Sequence, residues 1–200
     1  MPDIAVVILA AGNSSRMGSP KQLKVLNGET LLSRMIKAAR ASSASTTLVV
    51  LGANARLISE TVDLSNTVVL QNDFWQKGMG SSIKCAIDAL DSQGATAAIF
   101  ASCDQPFIDA TVLNALIEQF RVHNTIVASS YAGVVGIPAL FPAKEFQSLK
   151  SLAPEEGAKR ILRDKSKQIQ TIVFEAGKYD IDTEKDWDEF TRLAEIHGSI

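Results

Sequence analysis

Apolar positions in this chain follow two rhythms, short unbroken runs and stripes spaced three or four residues apart, and the two alternate through its first two thirds. Ile4 to Leu9 is an unbroken run rich in Val and Ile, which predicts a strand buried on both faces of a parallel sheet. From about Thr30 to Ala41, Leu31, Met35, Ala38 and Ala39 recur at helical spacing, and Leu48–Leu51 reads as a second strand. Ala55 to Val62 predicts a helix and Thr67–Leu70 a short strand. Ser81 to Leu90 is a helix with Ile83, Ala86, Ile87 and Leu90 on one face, and Ala97–Ala101 a further buried strand. Asp109 to Val122 follows as a helix with Asp109 at its N-cap. The residues from Ile126 to Phe141 read as two strands of another kind, a ribbon over a second binding site. Ile172-Val173-Phe174 is a last apolar strand, and Glu184 to Ile196 a final helix with Trp187 in the core.

This order predicts the α/β class with a three-layer α/β/α architecture, a Rossmann-like, mostly parallel sheet with helices on both faces. No linker or low-complexity stretch divides residues 1–200, so they read as one domain. Ligands of such sheets bind outside the carboxyl ends of the strands. The loops after Leu9 and Ala101 therefore carry the interest.

After Leu9 the chain runs Ala10-Ala11-Gly12-Asn13-Ser14-Ser15-Arg16-Met17-Gly18-Ser19-Pro20-Lys21. Gly12 and Gly18 permit positive φ, so that successive amide N–H groups can converge on an anion; Ser14 and Ser15 offer hydroxyl donors. Arg16 and Lys21 add fixed positive charge, and the whole suits a triphosphate. It is not a Walker loop, because Gly18 is followed by Ser19-Pro20, nor does Gly12 open a Rossmann glycine pattern. Asp104 follows the run Ile99 to Cys103 and is placed for Mg²⁺, although a turn Asp would look the same in sequence. Gly78-Met79-Gly80-Ser81-Ser82 opens a helix, either as an ordinary cap by Ser81 or Ser82 or as a close approach of backbone to a base and ribose.

Composition narrows the function. At 46% hydrophobic the chain can build a substantial core, and a net charge of −2 argues against a surface made for nucleic acid or anionic lipid. No apolar stretch approaches the ~18–20 residues of a spanning helix, and no basic run precedes the first strand, which predicts a cytoplasmic protein without a membrane partner. Cys85 and Cys103 are too few and too far apart for a disulfide framework, and both read as small buried residues. His123 and His197 lack partners at ligand or general-base spacing.

The Leu9–Lys21 segment resembles the molybdopterin nucleotidyltransferases, a family of MobA-like NTP transferases, and most of all their cytidylyltransferase branch. Asn72 to Ser82, Cys103-Asp104-Gln105-Pro106-Phe107, Gly136 to Phe141 and Asp180-Ile181-Asp182-Thr183 extend the resemblance over nearly the whole chain. It implies a fold of the nucleotide-diphospho-sugar transferase type. It also implies a Mg²⁺-dependent transfer from CTP to molybdopterin, giving molybdopterin cytosine dinucleotide and pyrophosphate, with a downstream molybdoenzyme or its chaperone as a partner. Leu9, Ala10, Ala11, Gly12, Ser14, Ser15, Arg16, Lys21, Gly80, Ser81 and Ser82 would bind the nucleotide, with Arg16 and Lys21 catalytic. Asp104 and Asp180 would hold the metal; Asp182 could take the place of Asp180, and either could instead cap the last helix. Trp75, Gly136, Pro138, Gly157 and Lys159 would meet the acceptor. Ala11, where guanine-using relatives carry glycine, points to cytosine. A guanylyl transferase, a sugar- or polyol-phosphate transferase and a noncatalytic cofactor carrier remain as alternatives, and a monomer or weak dimer is expected.

Overall fold

The computed structural model describes residues 3–196, with side chains as far as Arg192. His197 lies outside the described residues. The strands are β1 (Ile4–Leu9), β2 (Val25–Leu26), β3 (Glu29–Thr30), β4 (Thr46–Leu51), β5 (Val68–Gln71), β6 (Ala97–Ser102), β7 (Ile126–Tyr131), β8 (Val134–Pro142) and β9 (Ile169–Val173). The helices are α1 (Leu31–Ala41), α2 (Ala55–Thr61), α3 (Met79–Gln93), α4 (Ala110–His123), α5 (Phe146–Lys150), α6 (Lys159–Leu162) and α7 (Glu184–Ile196). No helix among the described residues is long and apolar enough to cross a membrane.

One sheet orders seven strands as β5-β4-β1-β6-β8-β7-β9, while β2 and β3 pair by themselves. β5, β4, β1 and β6 are parallel neighbours, β8 runs against both β6 and β7, and β9 is parallel to β7. The sheet is thus mostly parallel and Rossmann-like, as the alternation of patterns requires. Its middle strands are apolar on both faces because both faces are covered. Ile4, Val6 and Ile8 meet α1, α2 and α4 through Leu32, Ile36, Ile58, Leu113 and Ile117; Ala5, Val7 and Leu9 meet α3, α5 and α6 through Ile83, Ile87, Phe146, Leu149 and Leu162.

Two local signals are realised at the atomic level. Thr30 caps α1 by accepting from the Ser33 N–H, and Asp109 caps α4 by accepting from the Val112 N–H. Two expectations change. Neither Ser81 nor Ser82 is an N-cap, because α3 already begins at Met79 with Gly78 in the cap position. The two strands within Ile126–Phe141 are not a separate ribbon either. β8 is inserted in the main sheet between β6 and β7, where Ala139, Leu140 and Phe141 are fully buried and satisfy two ladders at once. Of this hairpin, Tyr131 and Ile137 reach the ligand side.

Because Leu9 is in register with Ser102, the loop after β1 and the segment after β6 leave the same sheet edge side by side. A third apolar cluster then brings in the chain's C-terminal part: Met17, Leu26 and Leu31 pack with Ile181 and Phe190 of the α7 region. Trp187 is only partly buried against this cluster, with the Lys24 ammonium 5.7 Å from its ring centroid.

Candidate active site

Three carboxylates from distant parts of the chain converge at the sheet's carboxyl edge: one oxygen from each of Asp104, Asp180 and Asp182 lies within 4.8 Å of the others. Asp104 arrives from β6 and the pair from the turn before α7. The turn is held to the strand by the Ile181 N–H, which donates to the Asp104 carbonyl at 3.0 Å. Gln105 holds it again, its Nε2 donating to the Gly177 carbonyl at 2.9 Å and to the Ile137 carbonyl at 3.2 Å. The Lys21 Nζ sits inside the cluster, 2.5 Å from Asp104 and 2.9 Å from Asp182, and donates also to the Ile181 carbonyl. Arg16 is exposed and reaches Asp182 at 3.3 Å.

The charges respond to this crowding. Burial opposes the Lys21 ammonium, but Asp104 and Asp182 outweigh it and keep its pKa above that of a free lysine. Asp182 is partly buried, yet Lys21 and Arg16 pull its carboxyl below the usual range. Asp180 makes no ion pair among the described residues: desolvation and the charges of Asp104 and Asp182 outweigh the more distant Lys21 and Lys159 and raise it from 3.8 to about 7. Cys103 is buried beside them, and desolvation pushes its thiol to about 12, so it stays protonated and inert. Cys85 is only half-buried, contrary to the expectation that both cysteines are interior.

Three hard oxygen donors in so small a space fit a divalent cation of the Mg²⁺ or Mn²⁺ type, which needs only one or two carboxylates besides substrate phosphates and waters. Asp104, Asp180 and Asp182 would hold it. In the metal-free protein, Asp180 is a liability. Its folded pKa exceeds its unfolded value, so stability falls as pH rises from about 4 to 7 through this group. Asp180→Asn should therefore raise the melting temperature in chelator at pH 8, with almost no gain near pH 3, where the carboxyl is largely protonated in both states. The expected gain is roughly 2–4 °C, the response to about 1 kcal/mol in a chain of this size once solvent screening is allowed for. Calorimetry at the two pH values checks the sign.

Beside the cluster opens a cleft of about 510 Å³ lined by Leu9, Ala11, Gly12, Lys21, Trp75, Gly78, Met79, Ser82 and Asp104 among others. In the loop itself Gly18 takes a positive φ as anticipated, but the other left-handed residue is Ser14 and not Gly12. The Ser14 hydroxyl is spent inside the loop, accepting from the Lys21 N–H and pointing at Gln22, while Ser15 is exposed. Ala10 is buried behind the cleft wall. Ser82 faces the cleft, whereas Gly80 and Ser81 line a different cavity on the far side of α3. Gly80 is required there for packing, since a Cβ would run into the Ala153 carbonyl.

A second, smaller cavity of about 250 Å³ is lined by Met79, Asp104, Gln105, Tyr131, Ile137, Gly157, Lys159 and Asp180 among others. Gly136 and Pro138 flank it from behind, the one against the Tyr131 hydroxyl and the other through its carbonyl bonded to Ser129. Trp75 belongs instead to the larger cleft. His123 is exposed at the end of α4 and takes no part.

Sequence reasoning missed three buried amides that shape the site. Gln22 bonds to the Ala10 and Gly12 carbonyls of the loop after β1, Asn72 to Ser81 and Ser82, and Gln105 to the turn before Asp180. No periodicity flags such residues, because their importance lies in backbone groups distant along the chain; the one cue is a polar residue beside a motif in a segment that must pack.

The cleft lies where Rossmann-like sheets bind nucleotides, and the chain carries the domain of a nucleotidyltransferase. More narrowly, the chain belongs to the MobA-like NTP transferase family, whose domain matches residues 6–170. It is 31% identical over 207 aligned residues to the purine catabolism protein PucB of Bacillus subtilis, covering 96% of this chain and 97% of that protein. It is 33% identical over 129 residues to the bifunctional protein GlmU of Nitrosomonas europaea, and spans only 28% of that protein's length. The crystal structure of a homologue of Mycobacterium tuberculosis Rv0371c from Mycobacterium sp. strain JC1 superposes with a TM-score of 0.86 at 30% identity. The match covers 96% of this chain and 98% of that one.

Proposed function

We propose that the protein transfers a cytidylyl group from CTP to molybdopterin, releasing pyrophosphate, with Mg²⁺ as the metal. The observation that carries a two-substrate transfer is the position of Asp104, which lines both the larger and the smaller cavity. Groups bound in the two spaces would meet at its carboxylate. In this reading the nucleotide takes the larger cleft and the acceptor the smaller, where the Lys159 ammonium lines the space within reach of Asp180's charge and can meet a terminal phosphate. The similarity of Ala10-Ala11-Gly12 to the cytidylyl branch supports CTP, and the motif resemblance to molybdopterin nucleotidyltransferases supports a molybdopterin acceptor.

An oxygen of the acceptor's phosphate attacks the α-phosphorus, a new P–O bond forms, and the bond to the β-phosphate oxygen breaks as pyrophosphate leaves. Bound metal would neutralise charge on the α-phosphate and the departing oxygens. Lys21, on the floor of the cleft, supplies a point charge to the same oxygens, and the exposed Arg16 can close on two of them with its planar fork. Both are now engaged by Asp182, so the nucleotide must draw them off it. Asp180 adds a second carboxylate on the acceptor side, and Asp182 stands against Lys21 and Arg16.

Pyrophosphate release with Mg²⁺ and molybdopterin, compared across CTP, GTP, ATP and UTP with the product weighed by mass spectrometry, tests this reading. CTP-selective release of molybdopterin cytosine dinucleotide is expected. Selectivity for GTP would place the protein with the guanylyl enzymes, and turnover with sugar phosphates but not molybdopterin would overturn the acceptor.

A further inference from the structure

We infer that the Ser102 hydroxyl binds the acceptor's terminal phosphate where the two cavities meet, and holds it in line with the α-phosphorus. The inference rests on the two-substrate transfer proposed above. Asp104 is not alone in lining both spaces, because Ser102 and Met79 do so as well. A group passing from one cavity to the other runs along these three side chains.

Strand β6 aims Ser102 at that junction. Side chains alternate between the two faces of a strand, so Ser102 points the way of Ala98 and Phe100, toward α3, α5 and α6, while Ala97, Ile99 and Ala101 pack on the other layer of helices. On one side Ser102 is in register with Leu9, which lines the larger cleft. On the other side of β6 runs β8, whose Ile137 lines the smaller cavity.

The hydroxyl is out of place in terms of the fold alone. Ser102 is 8% exposed and ends a strand otherwise made of Ala, Ile and Phe, and its Oγ has no hydrogen-bond partner among the described residues. Nor is that oxygen sealed in the core: the sealed, unpartnered side-chain atoms among the described residues are Arg34 Nε and Gln105 Oε1. It therefore opens into the space above the strand. An alanine would fill the strand as well without burying an oxygen, so the fold gains nothing from this group.

A phosphate does gain. Its ionised oxygens only accept, and a serine hydroxyl is an uncharged donor that can face them without pairing with Asp104 as a lysine would. In the proposed reaction the triphosphate already has Lys21, Arg16 and the metal. The acceptor's phosphate has Lys159 in the smaller cavity, and its attacking oxygen must come within ~3–3.5 Å of the α-phosphorus. A second partner at the junction fixes that approach.

Ser102→Ala tests this on the intact chain, in the presence of Mg²⁺. With molybdopterin varied at saturating CTP, kcat/KM for the acceptor should fall at least about tenfold, the worth of one hydrogen bond to a charged group. The CTP dissociation constant from titration calorimetry should stay within about twofold, and the melting temperature should be equal to the wild type's or higher. An equal loss in CTP affinity would put the hydroxyl on the nucleotide and overturn the inference while the transfer stands. Unchanged kinetics, with or without a lower melting temperature, would overturn it too. Should the wild type use a sugar phosphate and not molybdopterin, the molybdopterin reading falls, and the same tenfold loss measured with that sugar phosphate decides for or against Ser102. A wild type that transfers to no phosphate acceptor removes both.

Discussion

Asp104→Asn should lower metal-dependent pyrophosphate release about a thousandfold while leaving the fold intact, the loss expected when the charge that positions a catalytic cation is removed. The substitution keeps the side chain's shape in a nearly closed space, 14% exposed, and leaves the backbone carbonyl that accepts from Ile181 untouched. What disappears is a negative charge shared by both cavities. Manganese titration followed by electron paramagnetic resonance should show the matching loss of metal affinity. A fall in turnover of less than tenfold would remove Asp104 from the reacting centre. A protein that merely carried a cofactor to a partner would go on delivering it after this change, so the same variant separates enzyme from carrier.

Lys21→Met should do two things of opposite sign. Turnover should fall about a hundredfold or more, since the point charge on the triphosphate is lost, with the nucleotide dissociation constant changing much less. In the nucleotide-free protein, however, Mn²⁺ should bind at least about tenfold more tightly, because a unit charge at close range in a partly buried site is worth more than 1.4 kcal/mol. The reason is positional: the ammonium already occupies the space between Asp104 and Asp182, at 2.5 and 2.9 Å, and a divalent cation must share the same oxygens. Weaker or unchanged Mn²⁺ binding in the variant would show that Lys21 and the metal do not compete.

Much of this was legible in the chain because it depends on neighbours in sequence. The run Ile4–Leu9 is apolar at every position because its strand is covered on both faces, and the helical stripes at Leu31–Ala39 and Ile83–Leu90 are narrow because those helices are covered on one. Asp109 capped the predicted helix because capping is a contact over three residues. The loop between Gly12 and Lys21 and the carboxylate after β6 were marked by their place at strand ends. The site was legible there only as a parts list. β8 misled for a related reason: nothing in its own residues says which strands flank it, and its burial between β6 and β7 is a decision of the sheet as a whole.

By itself, then, the sequence determined the alternation of strands and helices, the glycine-containing loop with its two cations after β1 and the acid at the end of β6, since local sterics, periodicity and charge suffice for each. Only the tertiary structure decided that Asp180 and Asp182 reach Asp104, that Lys21 stands among them, and that Ser82 and not Ser81 faces the cleft. It alone withdrew the carbonyls of Ala10 and Gly12 onto Gln22. These are contacts between groups up to 161 residues apart, and their energies depend on distance, burial and direction, quantities that exist only once the apolar runs have closed the core.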